Sequence, residues 1–304
     1  MVRLILAFLL ALAPTLVSAK QIVVYTRFPV TSGPGHFAVE IVNQLNLVQN
    51  EYEFKLSVLP GSNGEAADQR ALTAARAGED LLVIGTTSNF SFNRYLVGNT
   101  YDRDNDFVPL QVISSLPVSI MVSKTSGINS VDDLIKHLNT KPKAFEATTI
   151  QSVSAVLMDI VFRNSMNIKN VTQISYGKAV DIGPNVIRGE ADYTVMGHTE
   201  VFELKRIATS GDQRDADIPT GKELGIKDFE FTGMNMFFIP KERIEFGNKI
   251  KPMLNKVCKS DEIQKVLKSR EYTPECNGDV EFVKTKIKKE LELIEKYKDQ
   301  LILK

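Results

Sequence analysis

The sequence predicts an α/β protein with two lobes, each built on a mainly parallel β-sheet, and with a ligand cleft between the lobes. Two observations lead to this expectation. From Gln21 onward, short β-branched runs alternate with helical patterns, which is typical of βαβ units. The same alternation begins again near Val118 and continues to about Thr232, so the pattern occurs twice. Ligands of such folds usually lie in a crevice at the carboxyl ends of the strands.

The first α/β unit begins with a strand over 22–25 and a helix over 36–48 whose apolar side chains share one face. A strand over 54–59 alternates in polarity, and a helical pattern over 66–75 follows it. The run 81–85, LLVIG, is continuously apolar, as expected for a strand that is buried on both faces of a parallel sheet. The unit is therefore βαβαβ.

The second unit repeats this order, with helices that begin at Ser130 and Ser152 and a third helix that ends near Gly189. Its predicted strands are 118–123, 143–148, 172–175 and 193–197. A further strand covers 231–240, and from Lys241 the pattern is helical to the end, with an amphipathic helix over 284–298. We expect lobe one to comprise residues 20–121 and 236–304, and lobe two residues 122–235.

The first 19 residues have the layout of a cleavable secretory signal peptide. Arg3 gives a positive start, residues 4–16 are almost wholly apolar, and Val17 and Ala19 are small residues at the −3 and −1 positions. This run is shorter than the roughly 20 apolar residues that span a bilayer. Lys20 follows the expected cleavage site, so we expect no lipid anchor there. A periplasmic protein without direct membrane insertion is predicted.

The charge balance of the chain bears on whether it binds nucleic acid. The chain has 37 basic and 37 acidic residues, and removal of residues 1–19 takes away one of the basic residues, Arg3. This balance gives no electrostatic reason to expect nucleic-acid binding.

The two cysteines, Cys258 and Cys276, lack metal-ligand spacing, and an exported protein favours a disulfide between them. We expect a monomer that holds neither a cofactor nor a metal ion.

Polar loops follow several predicted strands. Gly33 and Gly35 lie before the first helix, and Gly61, Ser62 and Asn63 before the second. Two further loops contain hydroxyl and amide side chains: Thr86, Thr87, Ser88 and Asn89, and then Thr148, Thr149, Gln151 and Ser152. Because the carboxyl ends of parallel strands lie at one edge of a sheet, we expect these loops to form a polar, uncharged cleft. Backbone N–H groups at helix N-termini and hydroxyls suit a carboxylate.

Enzymatic alternatives have weaker support. Residues 33–38 fit the Gly-x-Gly-x-x-Ala dinucleotide pattern, but residues 26–32 separate this motif from its strand, and no acidic residue follows the second strand. No metalloprotease, serine-hydrolase or P-loop motif is present in the sequence. The histidines are scattered: we expect His137 on a helix surface, whereas His36 and His198 fall in strand-to-helix loops and could line the cleft.

The chain resembles the periplasmic binding proteins of the tripartite tricarboxylate transporter family, the TctC or Bug group. LPGSNGEAA (59–67) is similar to that family's Pro-Gly-x-x-Gly loop, and YDRDNDFVPL (101–110) to its Tyr-Asp-Pro-x-x-Asp-Phe-x-Pro segment. SVDDLIKHL (130–138), ISYGKA (174–179), RGEADYTV (188–195) and the stretch 206–230 resemble further family segments in the same order.

This resemblance implies a bilobed periplasmic-binding-protein fold that closes on a carboxylate and transfers it to membrane permease subunits. It implies that backbone N–H groups, hydroxyls and waters hold the ligand at loops 31–37, with Ser32, and 60–64, with residues 86–89 beside them. The opposite lobe would contribute Thr148, Thr149, Gln151 and Ser152, with Gly197 and His198.

One position departs from the family pattern. His36 stands where the family's first loop usually has an Asp that can pair with a substrate ammonium. The ligand class that we expect is therefore a di- or tricarboxylate or an aromatic acid. Two alternatives stay open: an exported enzyme that uses a cleft histidine, and a binding protein of another transporter family.

Overall fold

The computed structural model describes residues 19–30, 32–61, 64–96, 100–149, 152–197 and 204–301. The expected signal peptide, apart from Ala19, lies outside these ranges, as do Ser62, Asn63, Gln151 and His198. The described part of the chain forms two β-sheets with helices on their faces. No described helix combines the length and the apolar character that a membrane span needs.

The first sheet has six strands: β1 (Lys20–Thr26), β2 (Tyr52–Val58), β3 (Leu81–Thr86), β4 (Phe107–Pro117), β10 (Thr232–Pro240) and β11 (Thr273–Asn277). Their order in the sheet is β11-β4-β10-β3-β1-β2. Strands β1, β2 and β3 are parallel, and β10 is antiparallel to both β3 and β4.

Helices cover both faces of this sheet, because its strands carry apolar residues on both sides. Helix α1 (Gly33–Leu47) buries Phe37 and Leu45 against one face, together with α7 (Ile244–Cys258) and α8 (Asp261–Ser269). Helix α2 (Glu65–Arg76) packs an alanine-rich stripe that includes Leu72 against the other face. The short helix α3 (Asn93–Leu96) lies between this unit and β4.

The second sheet has five strands in the order β7-β6-β8-β5-β9, and four of them run in one direction while β5 runs in the other. The elements are β5 (Ser119–Ser123), α4 (Val131–Thr140), β6 (Ala144–Thr148), α5 (Val153–Ser165), β7 (Val171–Ser175), α6 (Ile182–Ile187), β8 (Tyr193–Met196) and β9 (Leu204–Thr209). Strands β4 and β9 were not anticipated from the sequence.

The last helix, α9 (Val280–Tyr297), packs into the apolar cores beside both sheets. Val283 and Ile287 belong to the core beside the first sheet, and Ile294 is fully buried in the core of the second. The amphipathic helix was correctly predicted. The expectation of unbroken helical structure after Lys241 was wrong, because β11 pairs with β4 within that segment.

The disulfide between Cys258 and Cys276 is present, with 5.6 Å between the two Cα atoms. It ties the end of α7 to β11, so it holds this added edge strand against the first sheet.

The expected lobe limits, 121/122 and 235/236, fall inside β5 and β10, and the partition into lobes stays a prediction.

Candidate functional site

The carboxyl edges of the two sheets meet where β4 passes into β5. Strands β1, β2, β3 and β4 run in the same direction, so the loops that follow them leave one edge. In the second sheet, β6, β7 and β8 end at the edge where β5 begins, since Ser119 pairs with Met196. A Cβ added at Gly197 would lie 2.9 Å from Leu116 Cδ2, which shows how closely the two edges approach.

The loop before α1 is built around a helix N-terminus. Ser32 is the N-cap residue: its Oγ accepts a hydrogen bond from the Gly35 N–H at 3.2 Å and donates one to the Pro29 carbonyl at 2.8 Å. Gly35 has no room for a side chain, because a Cβ there would lie 1.9 Å from Pro29 O. His36 is half-buried in the first turn, whose N-terminal end carries positive partial charge.

The turn before α2 requires glycine at two positions. Gly61 and Gly64 have φ values of 114° and 94°, which side chains with a Cβ rarely adopt. The Gly64 N–H donates to the Gly61 carbonyl at 2.9 Å and closes the turn. Ser62 and Asn63 lie between them, outside the described residues, so their expected role stays a prediction.

The loop after β3 points its side chains in two directions. Thr86 and Ser88 are half-buried at the edge, whereas Thr87 and Asn89 are buried. Thr87 Oγ1 donates to Glu290 at 2.7 Å, and Asn89 Nδ2 donates to Asp68 at 2.9 Å. These bonds engage Thr87 and Asn89 inside the protein, whereas Thr86 and Ser88 are the half-buried side chains of this loop at the edge.

Arg27, which the sequence analysis overlooked, lies among these loops. It follows β1 directly, and its Nη2 donates to Thr86 Oγ1 at 3.1 Å. Its Cζ lies 5.0 Å from the centre of the Phe28 ring. A charged residue at the end of a buried parallel strand was the available signal. The sequence analysis led us to expect an uncharged edge, but Arg27 places a positive charge at the edge of lobe one.

Buried charged groups support this edge from below. Arg103 donates to Glu65 Oε2 at 2.6 Å and to the Asn89 carbonyl at 3.1 Å. Tyr101 donates to Asp68 at 2.7 Å. Burial raises the pKa of Asp68 to about 6, against the opposing effect of the Tyr101 and Asn89 hydrogen bonds. This network joins the loop after β3 to α2.

Neutral hydroxyls lie at the edge of lobe two. Thr148 ends β6, is 3% exposed, and its Oγ1 has no hydrogen-bond partner among the described residues. The same holds for Ser119 Oγ at the start of β5. Thr149 is buried beside Thr148, and Ser152 is half-buried at the N-cap of α5 without a side-chain capping bond. Unsatisfied buried hydroxyls are uncommon in native proteins and call for a partner.

Carboxyl groups beneath this edge are part of the lobe-two core. Asp159 accepts hydrogen bonds from Tyr193 at 2.6 Å, Arg163 at 2.7 Å and Gln173 at 3.0 Å. Burial, and then the charge of Asp159, raise the pKa of Glu146 well above its ordinary value, which favours the protonated form of its carboxyl group. His137 bonds Asp192 at 2.8 Å and is partly exposed, in line with the expected surface position.

The structure brings most of the predicted residues to the two facing edges. On lobe one these are Ser32, Gly33, Gly35, His36, Gly61, Thr86 and Ser88, and on lobe two Thr148, Thr149 and Ser152. Gln151 and His198 lie outside the described residues. Within the described ranges, no group of three or more His, Cys, Asp or Glu side chains could hold a metal ion.

Comparison with known proteins gives matches at the level of structure. No protein-family model matches the chain, and no curated protein sequence matches it significantly. Rpa4515 of R. palustris, solved with adipate, is 22% identical with a TM-score of 0.72, and the match covers 95% of this chain and 98% of that one. MatC of Rhodopseudomonas palustris, solved with malate, is 16% identical with a TM-score of 0.71, covering 93% and 100%.

A TctC solute-binding protein from Polaromonas is 15% identical, with a TM-score of 0.74 and coverage of 93% of this chain and 99% of that one. All three matches extend over nearly the whole of both chains, so they include both sheets and the crossovers between them. The chain has the bilobed periplasmic-binding-protein fold of these three solved structures.

Proposed function

We propose that this chain is a periplasmic solute-binding protein that captures a small carboxylate and delivers it to a transporter of the tripartite tricarboxylate type. The observation that carries the proposal is the pair of facing carboxyl edges. One edge has a helix N-terminus and Arg27, and the other has the buried hydroxyl of Thr148, which has no hydrogen-bond partner among the described residues. Such an arrangement binds an anion that bridges both lobes.

The ligand class follows from the donors. Ser32 and the N-terminus of α1, the turn at Gly61, and the hydroxyls of Thr86 and Ser88 face the ligand from lobe one. Thr148, Thr149 and Ser152 face it from lobe two. Hydrogen-bond donors to a charged group contribute about 1.5–3 kcal/mol each, so a few of them are sufficient for a tight site. The structural relatives solved with adipate and malate support a di- or tricarboxylate, with an aromatic acid as a further candidate.

Binding without chemical conversion accounts for this site. Two of the similar solved structures are described as a periplasmic transporter and as a TctC solute-binding protein. The half-buried His36 lies in the first turn of α1, beside the other donors of this edge. We propose that it donates a hydrogen bond to the ligand and does not act as a catalytic base.

Location and partners follow from the same proposal. The segment 1–19 directs export and is removed, so the mature protein begins at Lys20. The protein acts as a monomer that docks on the permease subunits of its transporter. Intact-mass measurement of the exported protein checks the cleavage site, since retention of residues 4–16 would contradict it.

A ligand screen tests the function. Thermal shifts are measured with adipate, malate, citrate and benzoate, with glucose as a neutral control. A true ligand at 100 times its dissociation constant stabilises the protein by about 2.7 kcal/mol. Calorimetry then gives the affinity, and NMR of the released ligand shows whether it is unchanged. Absence of any shift with these acids contradicts the proposal, and a chemically altered ligand favours an enzyme.

A further inference from the structure

An open groove lies beside α2, on the face of the first sheet that this helix covers. Strand β2 is the edge strand of the sheet, and β1 pairs with it in parallel. On the opposite face, Tyr52 and Phe54 of β2 are buried in the core with α1. The buried core beneath α2 includes Tyr25 of β1 but, among the described residues, none from β2. The edge strand is therefore covered on one face and left open on the other.

The groove has an apolar floor and a volume of about 500 Å³. Val23, Leu59 and the ring of Tyr25 line the floor, and Ala66 of α2 lines the adjoining wall. Because the Ala66 side chain ends at Cβ, α2 leaves space above the edge strand. Cavities of roughly 300–1,000 Å³ are typical of sites for small molecules. The groove is therefore large enough for a small organic ligand.

Two exposed cations flank this apolar floor. Lys55 lies on β2, and Arg70 lies one turn after Ala66 on α2; both line the groove. Lys55 pairs with Glu53 at 3.3 Å, but both side chains are half exposed, and surface pairs of this kind contribute little. The rim of the groove is therefore positive, with one cation from the strand and one from the helix.

Tyr25 brings a buried hydroxyl to the groove. This residue is 4% exposed, and within the described ranges its hydroxyl has no hydrogen-bond partner. The hydroxyl of a buried tyrosine usually finds a partner. Ser57 pairs with Tyr25 in the sheet register, lines the same groove and adds a second hydroxyl. Two hydroxyls and two cations therefore surround one apolar floor, which is a set of groups that suits an anion with an apolar body.

We propose that this groove is a second binding site, distinct from the cleft, for an amphipathic monocarboxylate such as a medium-chain alkyl acid. The apolar floor takes the hydrocarbon chain. Arg70 and Lys55 neutralise the carboxylate, and the hydroxyls of Tyr25 and Ser57 donate to it. A hydrogen bond to an ionised group is about twice as strong as one to a neutral group, so the matching alcohol binds more weakly.

Calorimetry with octanoate, hexanoate and 1-octanol tests the ligand class. Each buried methylene strengthens binding by roughly fourfold, so octanoate is expected to bind about tenfold more tightly than hexanoate. It is expected to bind at least about threefold more tightly than 1-octanol. The titration is repeated with a saturating amount of the best acid from the cleft screen. The octanoate affinity should not change, because the two sites are distinct.

Four variants locate the site. Arg70→Gln should weaken octanoate binding by about fivefold, whereas Arg76→Gln, exposed on the same helix and outside the groove, is the matched control and should bind like the wild type. Tyr25→Phe should also weaken octanoate binding by about fivefold. It should leave thermal stability unchanged or higher, because it removes an unpaired buried hydroxyl. Ala66→Trp fills the groove and should abolish octanoate binding while the cleft acid binds as before.

The results separate this groove from the cleft. The proposal is wrong if the wild type does not bind millimolar octanoate, or if it binds 1-octanol equally well. It is also wrong if the cleft acid displaces octanoate, or if folded Ala66→Trp binds octanoate as the wild type does. If Ala66→Trp does not fold by circular dichroism, unchanged octanoate affinity in Arg70→Gln and Tyr25→Phe overturns the proposal. The proposed function is measured with the cleft acids alone, so it stands or fails independently.

Discussion

Glu290 offers a direct test of how the C-terminal helix is joined to the binding edge. Its carboxyl group is buried in α9 and accepts hydrogen bonds from Thr87 at 2.7 Å and Ser91 at 2.5 Å. Burial raises the pKa of Glu290 from 4.5 to about 7, and the two hydroxyls only partly oppose the shift. The folded state therefore favours the protonated form, and ionisation at higher pH destabilises the fold.

The direction of the pH effect follows from this shift. A carboxyl group whose pKa is raised in the folded state stabilises the fold fully below the pKa that it has in the unfolded chain. This stabilisation is lost as pH rises through the folded-state pKa. For an unfolded pKa of 4.5 and a folded pKa of about 7, the free energy of unfolding falls by about 2–3 kcal/mol between pH 5 and pH 8. Asp68, with a pKa of about 6, acts in the same direction.

The variant Glu290→Gln isolates the contribution of one group. A glutamine amide can accept from Thr87 and donate to Ser91, whose own hydroxyl also donates to the Thr87 carbonyl at 3.2 Å. We expect the variant to match the wild type at pH 5 and to exceed it by about 2–3 kcal/mol at pH 8. Glu292→Gln, on the exposed face of the same helix, is the control and should change little.

Urea unfolding at pH 5, 6, 7 and 8, followed by circular dichroism, measures the effect. If the wild type and Glu290→Gln show the same dependence on pH, the carboxyl group is ionised in the fold and the reasoning is wrong. If the variant is less stable at pH 8, the Thr87 and Ser91 bonds to an ionised carboxylate outweigh the burial.

Three further predictions concern the site and the scaffold. Thr148→Val should leave stability unchanged or slightly higher, because it removes an unsatisfied hydroxyl, but should weaken acid binding by about tenfold in calorimetry; Thr172→Val, exposed on β7, is the control. Replacement of Cys258 and Cys276 by alanine should lower the free energy of unfolding by about 3 kcal/mol in urea titrations, and unchanged stability would contradict the role of the disulfide. Saturating ligand should reduce the radius of gyration in solution scattering by closing the lobes about the β4–β5 and β9–β10 connections, whereas an unchanged profile indicates a rigid cleft.

The sequence located most strands and helices because their hydrophobic periodicity is strong. It did not reveal β4, whose run FVPLQVISSLP contains two prolines and two serines that weaken the strand pattern. Nor did it reveal β11, where TPECN has no apolar alternation and the strand depends on pairing with β4 and on the disulfide. Long-range pairing decides both elements, and no local pattern encodes it.

The candidate site was predictable in its loops but not in the direction of its side chains. Adjacent threonines after β3 have different surroundings: Thr86 lies half-buried at the edge, whereas Thr87 bonds the distant Glu290. Arg27 was missed for a related reason. Its position at the edge depends on contacts with Gly64 and Thr86, which only the folded chain brings near it, so no sequence motif marks it.

The order of strands in the first sheet has a consequence for how the chain folds. Strand β10 lies between β3 and β4, yet it follows the whole of the second sheet in the chain. The second sheet is formed by one continuous segment, 119–209, so it can assemble from nearer neighbours. Pairing of β10 with β3 must instead close a loop of well over a hundred residues, which slows the search for the native contacts. We expect the second sheet to form first and the carboxyl edge of the first sheet to be completed last, when the segment that contains β10 has joined it.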